Sequence, residues 1–180
     1  GTPAYYDWAP GGIDYDNAPV MAAVDPVATS PMEIYSTQVV DFAWTSPACY
    51  ADKGLAGYEF TVHFDETMLS VVDSGFYDVP FGAPDPAFYD IQRGTGWLKF
   101  TAANWEVPFL GDGDLSFIEF EAIKTGWVHI TLTSSYKTGA MPPEDMSVAD
   151  GDVWILIEDN TDPTLVLDAI TDPTSDGTNC

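Results

Sequence analysis

The sequence predicts an all-β protein in which the strands form a β-sandwich. Short segments rich in β-branched and aromatic residues recur from residue 33 onward, and apolar and polar positions alternate in many of them. Clusters of Pro, Gly and Asp separate these segments, and none of the segments has a convincing helical period. With 180 residues, of which 46% are hydrophobic, the chain is long enough for one domain with its own core.

Residues 1–19 are predicted to form an extended N-terminal arm outside the sandwich. Pro and Gly in this segment exclude a long helix, yet several of its side chains are too apolar for a solvated tail. The side chains that need a covering surface are Tyr5, Tyr6, Trp8, Ile13 and Tyr15. We therefore predict that they bind a partner, and a second copy of the chain is the simplest one.

The sandwich is predicted to span residues 20–158. Its first strand is expected within Val20–Val27, where an Asp-Pro pair interrupts the apolar residues. The later strands are expected at Ile34–Trp44, Tyr58–Phe64, Leu69–Val72, Phe88–Gln92, Gly96–Ala102, Leu115–Ala122, Trp127–Thr133 and Val153–Ile157. Turn-forming residues between these strands complete the pattern of a two-layer β protein.

Residues 159–180 are predicted to add a last strand over Leu165–Ala169 and a polar tail that ends in Cys180. The only other cysteine is Cys49, and this spacing excludes a CxxC metal or redox motif. In an oxidising compartment the two can form a disulfide, which the entropy model values at roughly 4–5 kcal/mol for so long a loop. Two unrelated thiols, or an intermolecular bond from Cys180, are the alternatives.

Three stretches of the sequence resemble cohesin-type modules. The stretch GLAGYEFTVHFDETMLSVVD is similar to the second part of such a module, with a Gly-flanked strand, an Asp-led turn and a Leu-Val-Val strand. GDGDLSFIEFEAIKTGWVHITLTSS resembles a hairpin of the family, and VADGDVWIL resembles its closing strand. The resemblance runs from about Val20 to Leu156 and leaves both ends of the chain outside.

The resemblance implies a jelly-roll β-sandwich of about nine strands on a secreted or cell-surface protein. The best-known role of the family is to bind dockerin modules in cellulose-degrading assemblies. Related modules also occur in archaeal and bacterial surface proteins that carry no cellulase. This chain differs from the cellulosomal pattern in its acidity and in its aromatic N-terminal arm.

The charge of the chain narrows the partners that it can have. There are 29 acidic and 5 basic residues, for a net charge of −24. Such a polyanion repels nucleic acid and an anionic membrane surface, whereas it suits a salty or calcium-rich exterior. No apolar run approaches the ~20 residues of a membrane-spanning helix. We expect a secreted, extracellular or cell-surface protein without a membrane span.

Acidic turns supply candidate calcium ligands. Asp112 and Asp114 lie in GDGD, and Asp150 and Asp152 lie in ADGD, so each pair places hard oxygen atoms on a short turn. Asp and Gly also suit tight turns without any metal, and neither pair has EF-hand spacing. Other candidate carboxylates are Glu144 with Asp145 and Asp150, Asp159 with Asp162 and Asp168, and Asp14 with Asp16.

Catalytic motifs are absent from the sequence. No GxSxG, P-loop or HExxH occurs. His63 and His129 are out of phase with their apolar neighbours, so both are predicted to face away from the core. The strand residues Trp97, Trp127 and Trp154 are predicted to lie in the core, with stacking on a sugar ring as the alternative. We predict that the protein is not an enzyme.

Two functions follow from these observations. The first is a structural subunit of an extracellular filament, tubule or surface layer, whose copies exchange an arm or strand with the assistance of calcium. The alternative is a cohesin-like binding module that recognises a dockerin-like protein or a carbohydrate.

Overall fold

The computed structural model describes residues 24–48, 51–77, 88–104, 108–139, 142–146 and 149–161. Within these ranges the chain forms eleven β-strands and no α-helix. The strands are β1 (Val24–Val27), β2 (Met32–Glu33), β3 (Thr37–Trp44), β4 (Leu55–His63), β5 (Leu69–Phe76), β6 (Phe88–Gly94), β7 (Trp97–Ala103), β8 (Gly113–Ala122), β9 (Gly126–Thr138), β10 (Asp145–Met146) and β11 (Asp152–Glu158).

The strands make two sheets that pack face to face. A four-stranded sheet has the order β1-β3-β8-β5, and all of its pairs are antiparallel. A seven-stranded sheet has the order β2-β11-β9-β4-β7-β6, with β10 added to β9. Its pairs are antiparallel except that β2 runs parallel to β11. The predicted all-β sandwich is confirmed.

Aromatic side chains fill the space between the sheets. Phe42 comes from the four-stranded sheet, and Phe60 and Phe100 come from adjacent strands of the other. The ring of Phe42 lies 5.3 Å from that of Phe60 and 6.1 Å from that of Phe100, measured between centroids. All three side chains are fully buried, so this cluster joins the sheets at the centre of the core. At one open side, Phe76 stacks on Tyr89 at 4.6 Å and joins the two edge strands β5 and β6.

Several predicted strands differ from the structure in their bounds, and two of these differences have a clear cause. The segment Ile34–Trp44 is interrupted at Tyr35, whose φ of 62° breaks the extended conformation between β2 and β3. Strand β9 continues to Thr138, five residues past the predicted end at Thr133, because its partner β4 accompanies it along this length. The polar residues after Thr133 resemble a turn in the sequence. Tyr136 is buried, however, so this segment is a strand that has one side in the core.

The described strands all fall within residues 20–158. The predicted arm, residues 1–19, and the predicted strand at Leu165–Ala169 lie outside the described residues. These two parts of the predicted domain organisation therefore stay predictions.

Candidate functional site

The two outer faces of the sandwich differ in chemistry. The acidic face is the outward side of the four-stranded sheet. None of its strands β1, β3, β5 and β8 contains a lysine or an arginine. Its outward carboxylates, which alternate with buried positions, are Asp25, Asp41, Asp73, Asp114, Glu119 and Glu121. The charged residues in the strands of this face are therefore all negative.

One aromatic pair interrupts the acidic face. The ring of Tyr77 lies 5.4 Å from that of Phe117, and the Tyr77 hydroxyl donates a hydrogen bond to Asp41. Burial, and then the hydrogen bond and charge of Asp41, raise the pKa of Tyr77 to about 12. The phenol therefore stays protonated at neutral pH and keeps donating to the carboxylate.

The mixed face is the outward side of the seven-stranded sheet, and it carries aromatic, hydroxyl and charged groups of both signs. Alternation in β4, β7, β9 and β11 brings these side chains to one surface. Its members are Glu59, Thr61, His63, Trp97, Lys99, Thr101, Trp127, His129, Thr131, Thr133, Ser135, Lys137, Asp152 and Trp154.

Polar contacts link neighbouring strands across the mixed face. Lys99 on β7 lies 3.4 Å from the carboxylate of Glu59 on β4. Thr101 donates to the same carboxylate over 3.3 Å. Further along β4, the His63 ring nitrogen and the Thr133 hydroxyl are 3.2 Å apart. These contacts hold the centre of the face in one arrangement without burying a charge.

A shallow depression lies on the mixed face where β4, β7 and β9 meet. It has a volume of about 260 Å³ and is floored by the small residues Gly57 and Ala103, with Ser135 and Lys137 on one side. Strand β4 has a bulge between Leu55 and Gly57, and this irregularity interrupts the regular register beside the depression. Among the described residues, the small side chains of this lining leave room for a side chain of a partner.

Two tryptophans predicted to lie in the core are on the mixed face instead. Trp127 is 59% exposed and Trp154 is 53% exposed. The prediction was wrong because Val128 and Ile155, their sequence neighbours, occupy the inward positions and strand side chains alternate. The alternation was visible in the sequence, and it is a better guide than the hydrophobicity of tryptophan. Trp97 is half-buried, with its indole packed across Gly94.

Trp127, His129 and Trp154 form a cluster that we call the tryptophan corner. His129 stands opposite Trp154 in the β9–β11 pair, and their rings stack with centroids 4.1 Å apart and planes 6° from parallel. The His129 ring nitrogen also contacts the carboxylate of Asp152. Trp127 lies on the same side of β9 as His129, opposite Leu156. The corner is thus an exposed aromatic group with one fixed internal contact.

Both histidines face away from the core, as predicted, since His63 and His129 lie on the mixed face. They have different partners, Thr133 for His63 and Asp152 for His129. Neither histidine therefore belongs to an arrangement that resembles a catalytic triad.

Three of the four predicted calcium ligands have separate hydrogen-bond partners in the structure. Asp112 accepts from the backbone N–H of Ser46 over 2.8 Å, and Asp114 is exposed on β8. Asp150 accepts from the hydroxyls of Ser134 and Tyr136, while Asp152 contacts His129. In the part of the chain that the structure describes, no three His, Cys, Asp or Glu side chains form a group that could hold a metal ion. The calcium assignment stays a prediction.

Other predicted sites lie outside the described residues. They are the arm residues Tyr5, Tyr6, Trp8, Ile13 and Tyr15 and the cysteines Cys49 and Cys180. Partner binding by the arm and the disulfide therefore stay predictions. Across the described ranges, no helix has the length and hydropathy that a membrane span requires.

Solved cohesin structures share this architecture. The seventh ScaB type I cohesin from Pseudobacteroides cellulosolvens is 14% identical, with a TM-score of 0.63 over 79% of this chain and 97% of that chain. A non-cellulosomal cohesin from the archaeon Archaeoglobus fulgidus is 16% identical, with a TM-score of 0.59 over 76% of this chain and 92% of that one.

A third similar structure was solved with a bound partner. It is the sixth cohesin from scaffoldin B of Acetivibrio cellulolyticus in complex with a mutant Cel5 dockerin. It is 12% identical, and the match covers 76% of this chain and 100% of that chain with a TM-score of 0.60. No family model and no curated protein matches the chain. The likeness in structure, at these low identities, establishes that the chain has the cohesin-like β-sandwich fold.

Proposed function

We propose that the chain is a non-enzymatic binding module that receives a dockerin-like protein on its mixed face. The observation that carries the proposal is the difference between the two faces of the sandwich. One face presents carboxylates without a lysine or arginine in its strands, whereas the other presents exposed tryptophans among threonines, serines and paired charges. Cohesins of this fold have been solved with dockerins bound, which supports a partner of that type.

The composition of the mixed face suits a protein interface. Tryptophan is enriched among the residues that dominate binding energy, and charged residues are depleted from the centre of an interface. At the centre of this face lie Thr61 and Thr133, directly opposite each other on β4 and β9. Their hydroxyls can bond a partner without the cost of desolvating a full charge. Because these residues stand on paired strands, little conformational entropy is lost on binding.

The acidic face is a poorer binding surface for the same type of partner. Glu119 is paired with Asp73 across the strands, so two like charges already lie side by side. Covering them with a neutral surface would remove water from both charges without supplying a counter-charge.

The structural-subunit function depends on residues 1–19, which lie outside the described residues, and it stays a prediction. The cohesin-like fold supports the binding function more directly, since the similar structures include complexes with dockerins. An extracellular location, which the net charge of −24 favours, is part of the same proposal.

Matched variants on the two faces test the proposal. Thr61→Arg places a long cation at the centre of the mixed face, and Val39→Arg places one on the exposed side of β3. With purified dockerins from the solved cohesin complexes, we expect titration calorimetry to detect binding to the unmodified chain and to Val39→Arg. Thr61→Arg should weaken that binding by at least about tenfold, or about 1.4 kcal/mol.

Thermal unfolding of both variants serves as the folding control. The proposal of a dockerin-like partner fails if none of the dockerins produces saturable heat. The assignment to the mixed face fails if Val39→Arg, instead of Thr61→Arg, removes the heat of binding.

A further inference from the structure

We infer that the tryptophan corner is a receptor for a cationic side chain, lysine or arginine, that the protein partner presents. This inference rests on the proposed function, because it assumes that the mixed face is the one the partner covers. It adds the chemistry of the group that is recognised and the residues that recognise it.

The first argument is the exposure of the rings. Trp127 and Trp154 are both more than half exposed, although each stands on a regular strand beside fully buried neighbours. Large aromatic side chains on a rigid sheet offer area to a partner at a small entropic cost.

The second argument is the orientation of the rings. His129 stacks on Trp154 at 4.1 Å and is itself in contact with Asp152, so one face of the indole is supported while 53% of the side chain is exposed.

The third argument is the charge around the corner. Asp152 contacts His129 of the stacked pair. Asp25, on edge strand β1 of the acidic face, packs against Gly151 and lies close enough to Asp152 for the two charges to interact. Burial, and then the charge of Asp152, raise the pKa of Asp25. Each described lysine that makes an ion pair does so elsewhere: Lys53 with Glu144, Lys99 with Glu59 and Lys137 with Asp145.

Exposed indoles within a negative potential favour a cation over a neutral ligand. A lysine or arginine is attracted to the electron-rich face of an indole and also to the nearby carboxylates. A neutral sugar could stack on the same rings, but it would gain nothing from the charge of Asp25 and Asp152. Arginine fits best, because its flat guanidinium can stack on the ring while it donates hydrogen bonds to a carboxylate.

The probe for the test is a short alanine-based helical peptide with two arginines one turn apart. The comparison peptide has citrulline at both positions, which keeps the shape of the side chain and removes its charge. Binding is followed by NMR through the indole N–H signals of Trp127 and Trp154, which are assigned from the Trp127→Leu and Trp154→Leu variants. We expect a saturable shift of both signals with the arginine peptide and a much smaller one with citrulline.

Substitutions then distinguish binding at this site from nonspecific attraction of a cationic peptide to an acidic protein. Trp154→Leu should weaken binding of the arginine peptide by roughly 3- to 30-fold, the range expected for loss of a cation–π contact. Val72→Ala is the control, since it also removes an exposed apolar side chain but lies on β5 of the other sheet, and it should leave the affinity unchanged. Thermal unfolding shows whether each variant is folded.

Three results would overturn the inference. One is an equal response to the citrulline peptide, and another is unchanged affinity in Trp154→Leu. The third is a saturable shift of the same indoles by a cello-oligosaccharide in place of the arginine peptide, which would make the corner a glycan site. The dockerin titration with Thr61→Arg is independent of these results. Loss of dockerin binding there, with no arginine effect here, would retain the proposed function and reject the corner.

Discussion

At the scale of single residues, Asp150 and Asp25 have different surroundings. Hydroxyl donors contact Asp150, whereas the carboxylate of Asp152 lies near Asp25. Asp150 accepts from the hydroxyls of Ser134 and Tyr136, and burial, followed by this hydrogen bond, raises the pKa of the Tyr136 phenol. The phenol therefore remains a donor, and the half-buried carboxylate is satisfied. Asp25 has the opposite environment, because burial and the charge of Asp152 both disfavour its ionised form.

We predict that Asp25→Asn stabilises the protein at neutral pH. The pKa of Asp25 is raised in the folded state above its usual value of 3.8, so its contribution to stability is fully present below about pH 4 and is lost as the pH rises. At pH 7 the charged side chain is a small cost, and its removal should raise the free energy of unfolding by about 0.5 kcal/mol, the size expected for an exposed charge screened by solvent.

Urea unfolding between pH 3 and pH 7 measures this effect. The gain should disappear at pH 3, where the carboxyl is protonated in both states. Asp52→Asn, on the exposed turn before β4, is the control for a general reduction of net charge. An equal gain in both variants would show that the net charge, not the environment of Asp25, is responsible.

At the scale of elements, β4 is the strand on which both the core and the mixed face depend. It lies between β7 and β9, so its inward residues Tyr58, Phe60 and Val62 reach the centre of the sandwich. Its outward residues Thr61 and His63 belong to the mixed face. Packing on one side of this strand therefore fixes the position of the binding groups on the other.

Phe60→Ala is predicted to lower the free energy of unfolding by about 3–5 kcal/mol, because it empties the centre of the three-phenylalanine cluster. Chemical denaturation measures the loss. Val72→Ala, at a position 51% exposed on edge strand β5, should change stability by less than about 0.5 kcal/mol. Similar losses in the two variants would mean that Phe60 does not occupy the core position described.

The elements also show what could be predicted from the sequence. Alternation located β4 and β11 to within a few residues, because a strand with one buried side leaves a period of two in the sequence. The break at Tyr35 could not be predicted, since a left-handed tyrosine has no clear local signature and depends on its backbone bond to Ala122. Stacking of His129 on Trp154 depends on the register of β9 and β11, which a single sequence does not specify.

At the scale of the whole molecule, charge is distributed over a neutral core. The chain has a net charge of −24, the buried residues that the structure describes are mainly apolar, and the acidic face has no lysine or arginine in its strands. Copies of the chain therefore repel one another at low ionic strength.

We predict a monomer at low salt and association only after the charge is screened or neutralised. Sedimentation velocity in NaCl and in CaCl₂ at equal ionic strength measures this dependence. The predicted calcium site is supported if CaCl₂ promotes association more than NaCl does and if Asp112→Asn and Asp114→Asn remove this difference. Deletion of residues 1–19 tests whether the arm takes part. Stable polymers in low salt without calcium would contradict the prediction.

The chain contains two histidines, and the fold places both on the same outer surface. Their ring protons are consequently a built-in pair of spectroscopic reporters. A titration that disturbs the His63 signal reports occupancy near the middle of the surface, and one that disturbs the His129 signal reports occupancy near its β11 side. A ligand that settles on the opposite surface should leave both signals where they were, so the two docking sites can be told apart without attaching any label.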